Sequence, residues 1–93
     1  MFTFIDSIED LAFLNKELLQ KSHLGVDTEF RRTTKDNMRL ALLQINDAEE
    51  IYLVDTVLIE DPQEHASFLF SESVTKIFHS CKEDIEAIYA WTG

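Results

Sequence analysis

At 93 residues with 45% hydrophobic side chains, the chain can form one small domain with a real but modest core. Two Gly and one Pro exclude a collagenous or low-complexity chain, and no repeat recurs at solenoid or propeller periods. A formal net charge of -10, from 18 acidic and 8 basic side chains, argues against nucleic-acid binding through bulk electrostatics.

No apolar run approaches the roughly 20 residues of a membrane-spanning helix, and Met1 to Asp6 lacks the basic and long apolar stretches of a secretory signal. The expectation is a soluble, cytoplasmic protein. The single cysteine, Cys81, excludes an internal disulfide and fits a reducing compartment. Four basic residues, Arg31, Arg32, Lys35 and Arg39, fall within nine positions. They form either a local basic patch within an acidic protein or a solvated charged loop.

Phe2 to Ile5 is short, aromatic and β-prone. Ser7 then stands three before Asp10, resembling a capping box, and Ile8, Leu11, Ala12, Leu14, Leu18 and Leu19 recur at helical spacing, so a helix is expected to about Lys21. From Leu24 to Phe30 the chain alternates: Leu24, Val26, Thr28 and Phe30 point one way, and Gly25, Asp27 and Glu29 the other. Met38 to Ile45 and Ile51 to Val54 are β-compatible runs separated by a turn-rich stretch of hairpin length, Asn46 to Glu50. Together these predict a three-strand antiparallel meander.

Asp61-Pro62-Gln63-Glu64 favours helix initiation, with Asp61 as N-cap and Pro62 at the first helical position, and predicts a helix to about Phe70. Val74 to Phe78 reads as a short buried strand. Ser80 with Glu83 forms a second capping-box pattern, opening a helix from Cys81 toward Trp91. The expected order is β-α-β-β-β-α-β-α. A sheet begun as a meander and continued through a crossover helix would ordinarily be larger, so the chain reads as an incomplete α/β domain.

Asp27 and Glu29 lie two apart on a strand, which places their Cα atoms about 6.5–7 Å apart on one face. Two carboxylates so close repel unless a cation or proton lies between them, and Mg²⁺ and Mn²⁺ take such oxygens while keeping waters for a phosphate substrate. The alternative, a solvated edge-strand face, stays open on these residues alone. In the last helix, Cys81, Asp84, Ile85, Ile88 and Tyr89 follow helical spacing, placing Asp84 on or beside the face that meets the sheet. An acid there needs a donor, a cation or a water-filled cleft, or it reaches solvent from the first helical turn.

Leu24-Gly25-Val26-Asp27-Thr28-Glu29-Phe30-Arg31 resembles the first exonuclease motif of the ribonuclease D group, whose core is Asp-Thr-Glu-Phe. His79-Ser80-Cys81-Lys82-Glu83-Asp84-Ile85-Glu86 resembles its second motif, and Leu40 to Ile45 with Tyr52 to Asp55 are similar to the strands between. The likeness runs nearly end to end. It implies a ribonuclease H-like fold and a 3′-to-5′ exoribonuclease that hydrolyses RNA 3′ ends, such as those of transfer RNA precursors, with two Mg²⁺ or Mn²⁺ ions. By position, Asp27 would bridge both metals, Glu29 would bind the nucleophile-side metal and Asp84 would support the second.

Substrate contact is expected from residues around those three. Thr28 lies inside the motif, Phe30 would wedge against a terminal base, Arg31 and Arg32 would meet phosphates, and Gln44 would donate to substrate. His79, at a strand end, is placed near the substrate, with a hydrogen-bonded structural role favoured over that of a base. Each of these side chains also has an ordinary structural reading, and Cys81 reads as a small hydrophobe.

The family's third motif, a Tyr followed four residues later by an Asp, has no counterpart: the residues four after Tyr52 and Tyr89 are Thr56 and Gly93. The expectation for residues 1–93 is an N-terminal portion of one exonuclease domain, with little or no activity by itself and a tendency to self-associate through an exposed edge or face. The other reading is a non-catalytic exonuclease-like module that binds metal or nucleic acid.

Overall fold

The computed structural model describes residues 2–34, 37–78 and 81–93, with side chains except at 31–34, 37, 38 and 81. In chain order it contains β1 (Phe2–Ile5), α1 (Ile8–Leu18), β2 (His23–Thr34), β3 (Asn37–Asn46), β4 (Ile51–Asp55), a 3-10 segment (Gln63–Leu69), β5 (Thr75–Phe78) and α2 (Cys81–Thr92). The expected order holds in all but the class of the second helical element.

The sheet runs β1-β4-β3-β2-β5. Strands β2, β3 and β4 form the expected antiparallel meander. Strand β5 joins β2 in parallel, and β1 lies parallel to β4 at the opposite edge. The register sorts the side chains into two faces. Thr3, Tyr52, Ile45, Val26 and Phe78 share one row, and Ile5, Val54, Leu43 and Thr28 the next, on the face that holds the core. The other face carries Phe2, Ile51, Asn46, Gly25 and Ile77, then Phe4, Leu53, Gln44 and Asp27, then Asp55, Leu42 and Glu29.

Both helices and the 3-10 segment contribute to the core face. Leu11, Leu14 and Leu18 of α1, Phe68 and Leu69 of the 3-10 segment, and Ala87, Ile88 and Trp91 of α2 are all buried with it. Ser7 caps α1 as its spacing predicts, its hydroxyl accepting from Asp10 N at 3.2 Å. The helix ends at Leu18 and not near Lys21. Gln20 N and Lys21 N bond to Glu17 O and Leu18 O, three residues back, so the last turn tightens out of α geometry.

Two further expectations are corrected. The buried stripe of α2 is Asp84, Ala87, Ile88 and Trp91, whereas Ile85 and Tyr89 are exposed. Trp91 turns the helix that way because its indole Nε1 donates to Ile59 O at 2.7 Å while its ring joins the core. The predicted helix after Pro62 is a 3-10 segment broken at Ala66 (φ -116°, ψ 20°), and Gln63 has φ +54°. Asp61 does act as an acceptor, taking Gln63 N at 3.0 Å.

Asn15 of α1 accounts for the break. Its Oδ1 accepts from Phe68 N at 2.9 Å, and its Nδ2 donates to Glu64 O at 3.5 Å. Phe68 N and Glu64 O are the pair that an α-helix would join. The carboxamide stands between them and holds the segment against α1. The capping-box pattern at Ser80 lies outside the described residues.

Candidate active site

Asp27 and Glu29 lie on the sheet face away from the helices, both exposed, because strand alternation sends Val26 and Thr28 to the core side. Cross-strand neighbours fix their surroundings: Gln44 stands opposite Asp27, and Leu42 opposite Glu29. Asp27, Thr28, Glu29, Leu42 and Gln44 line a niche of about 20 Å³, room for one water or one ion. A groove of about 400 Å³ runs beside it, lined by Gly25, Asp27, Gln44, Asn46 and Ile77. A Cβ on Gly25 would lie an ordinary 3.6 Å from Asn46 Cβ, so this glycine opens the groove floor without being demanded by packing.

Asp84 lies on the core side of β2, against Thr28. It is 2% exposed, in the first turn of α2, and Thr28 Oγ1 donates to its Oδ1. Thr28 N also donates to Asp27 Oδ1 at 3.0 Å. The described β2–β5 pairing ends at Val26↔Phe78, one residue before Asp27. In chain order α2 comes next after β5, the strand that flanks the acidic segment.

The structure thus brings Asp84 to Thr28, between the other two acids in sequence. Among the described residues, no three His, Cys, Asp or Glu side chains already stand together as a metal cage. The donor chemistry fits a hard divalent cation all the same: two carboxylates and a carboxamide surround an ion-sized niche.

The remaining candidates divide by face. Gln44 lies in both niche and groove, beside Asp27. Phe30 is half-buried and packs against the core. Arg31 and Arg32 continue β2 past the acids, but their side chains, and all of His79, lie outside the described residues. Arg39 is exposed and pairs with Glu60 at 3.8 Å. Asn46 in the groove wall, and the hydroxyl of Thr28 as the partner of Asp84, went unremarked in the sequence.

Comparison with known proteins adds the family. The family model of the 3′-5′ exonuclease domain matches residues 2–92. Ribonuclease D of Shewanella sp. (strain ANA-3) is 33% identical over 93 residues, which is all of this chain and 24% of that protein. Ribonuclease D of Haemophilus influenzae is 39% identical over 66 residues, 71% of this chain and 16% of that protein.

Among solved structures, the catalytic core of RRP6 from Trypanosoma brucei superimposes with a TM-score of 0.88 at 25% identity, covering 100% of this chain and 26% of that one. Escherichia coli RNase D gives a TM-score of 0.76 at 26% identity, covering 95% and 24%. The chain therefore spans about a quarter or less of these relatives. With a mixed five-stranded sheet of ribonuclease H-like form and a match across nearly its full length, the chain belongs to the 3′-5′ exonuclease family, in its ribonuclease D-like group of DEDD exonucleases.

Proposed function

We propose that this chain provides the carboxylate centre of a divalent-metal-dependent 3′-to-5′ exoribonuclease that hydrolyses phosphodiesters at RNA 3′ ends. The observation that carries the reading is the acid pair Asp27 and Glu29 around an ion-sized niche, with Asp84 held by Thr28 at the adjoining helix start. Asp27, Glu29 and Asp84 would hold two Mg²⁺ or Mn²⁺ ions. When bound, such ions lower the pKa of an attacking water and stabilise the attacking and leaving oxygens of an in-line displacement.

The chain's own groups have separate tasks. Thr28 N–H fixes the rotation of the Asp27 carboxylate, and Thr28 Oγ1 does the same for Asp84. Gln44, beside Asp27, offers an amide donor to a sugar or phosphate oxygen in the groove. Arg31 and Arg32 bring positive charge close in sequence to the acid pair. RNase D of E. coli is described as an exoribonuclease involved in structured RNA processing, which supports structured RNA ends, transfer RNA precursors among them, as the substrate class. Among the described residues no helix is long and apolar enough to cross a membrane, and we place the activity in the cytoplasm.

Residues 1–93 by themselves are proposed to bind metal with little or no turnover. The second reading, a non-catalytic binding module, draws on the same fact: no ready cage of three ligands forms among the described residues. Mn²⁺ titration, read as free Mn²⁺ by electron paramagnetic resonance, tests the shared premise. Saturable binding that is lost in Asp27→Asn supports the metal site. Absence of binding, or binding indifferent to Asp27→Asn, defeats it. Release of 3′-terminal nucleotides from labelled RNA then separates enzyme from binding module.

A further inference from the structure

We infer that Thr28 is a positioning residue, setting the third carboxylate, Asp84, relative to the first, Asp27. The inference rests on the metal-site reading above and adds to it a role for a side chain that points away from the acidic face. Asp84 belongs to α2 and Asp27 to β2, 57 positions apart in sequence. Their separation depends on how α2 packs against β2. Thr28 contacts both. Its backbone N–H donates to Asp27 Oδ1, and its hydroxyl donates to Asp84 Oδ1.

The faces make this arrangement specific. Thr28 lies in the core row with Leu43 and Val54, both fully buried, so its rotamer is confined by packing. Asp84 is 2% exposed between that row and the rest of α2, where a carboxylate needs donors close at hand. A valine at 28 would preserve the shape and the backbone donor to Asp27 while removing the hydroxyl. Asp84 could then leave the position in which Thr28 holds it against β2. Partners that orient metal ligands typically affect metal affinity by about 10–100-fold when removed.

The test compares Mn²⁺ affinity of the wild-type chain with Thr28→Val, Thr28→Ser, Asp84→Asn and the Thr28→Val/Asp84→Asn double variant, with urea melts on each. Expected are a loss of about tenfold for Thr28→Val and retention within roughly twofold for Thr28→Ser. In the Asp84→Asn background, Thr28→Val should have little further effect, because there is no longer a carboxylate to orient. Undiminished affinity in Thr28→Val, while Asp84→Asn still weakens binding, overturns the role of Thr28 and leaves the metal site intact. An equal loss from Thr28→Val in both backgrounds overturns it as well, since that is the mark of general structural damage. Thr28→Ser decides if Thr28→Val does not fold: affinity as low as that of Asp84→Asn refutes the hydroxyl's role. A wild-type chain that binds no Mn²⁺ refutes the metal-site reading itself.

Discussion

Replacing Asn15 by alanine tests how the 3-10 segment is held. Asn15 is buried, and its carboxamide takes four hydrogen bonds: to Glu64 O (3.5 Å) and Ser67 Oγ (3.0 Å) through Nδ2, and from Phe68 N (2.9 Å) and Ser67 Oγ (3.3 Å) through Oδ1. The bond from Phe68 N matters most, because Phe68 is fully buried and its amide would lose its acceptor. An orphaned buried amide costs about 1–3 kcal/mol, and the other bonds together add about 1 kcal/mol net. The expected loss is therefore about 2–4 kcal/mol, a large share of the roughly 5–14 kcal/mol that 93 residues ordinarily provide. Urea melts followed by circular dichroism at 25 °C measure it. Asn15→Leu, which keeps the volume, should cost nearly as much, because hydrogen bonding and not packing is what Asn15 contributes. Wild-type stability in Asn15→Leu, with a gain of helical signal as Glu64 O and Phe68 N close on each other, would refute this account.

Other consequences are as direct. Ala48 has φ +82° in the β3–β4 turn, a left-handed conformation that costs a side chain about 1–2 kcal/mol, so Ala48→Gly should raise Tm by several degrees after its entropy cost. In the same turn, burial opposes ionisation of Asp47, but the N–H groups of Glu50 and Glu49 and the Lys21 charge together hold its pKa below the ordinary value. Its contribution is therefore present above about pH 3.9 and fades as pH falls through the lower folded-state value, and Asp47→Asn should flatten the acid limb of stability against pH. The exposed pair Arg39–Glu60 should contribute less than about 0.5 kcal/mol, as Arg39→Ala melts would show. The face carrying exposed Phe2, Phe4 and Ile77 should drive concentration-dependent association, and velocity sedimentation that shows a monomer at every concentration would contradict this.

Much of this was legible because it depends on period. The alternation from Leu24 to Phe30 placed Asp27 and Glu29 on one face, and the register bears this out from Gly25 to Glu29, shifting between Glu29 and Phe30. The meander was visible in two β-prone runs and the turn between them. What escaped depends on contacts distant in sequence. Strand β1 pairs in parallel with β4, some 49 positions on (Phe2↔Ile51), and nothing near either strand signals it. The segment after Pro62 has a helix-starting sequence, but Asn15, 53 positions before Phe68, takes the amide that an α-helix would use.

The stripe of α2 shows the limit of periodicity. Asp84, Ala87, Ile88 and Trp91 follow helical spacing as well as Asp84, Ile85, Ile88 and Tyr89 do. The indole bond to Ile59 O selects the first set. Asp84 belongs to both, which is why its inward position was readable while its partner Thr28 was not. The motif likeness identified the acids without giving their geometry.

The central claim, that Asp27, Glu29 and Asp84 form one metal centre, is tested most directly by locating the metal. Crystals of the chain soaked in Mn²⁺ and measured at a wavelength with strong manganese anomalous scattering should show a peak bonded to Asp27 and Glu29 carboxylate oxygens, with Asp84 bound directly or through water. Carboxylate–Mn²⁺ contacts elsewhere, with no density at the niche between Asp27 and Glu29, would contradict the account.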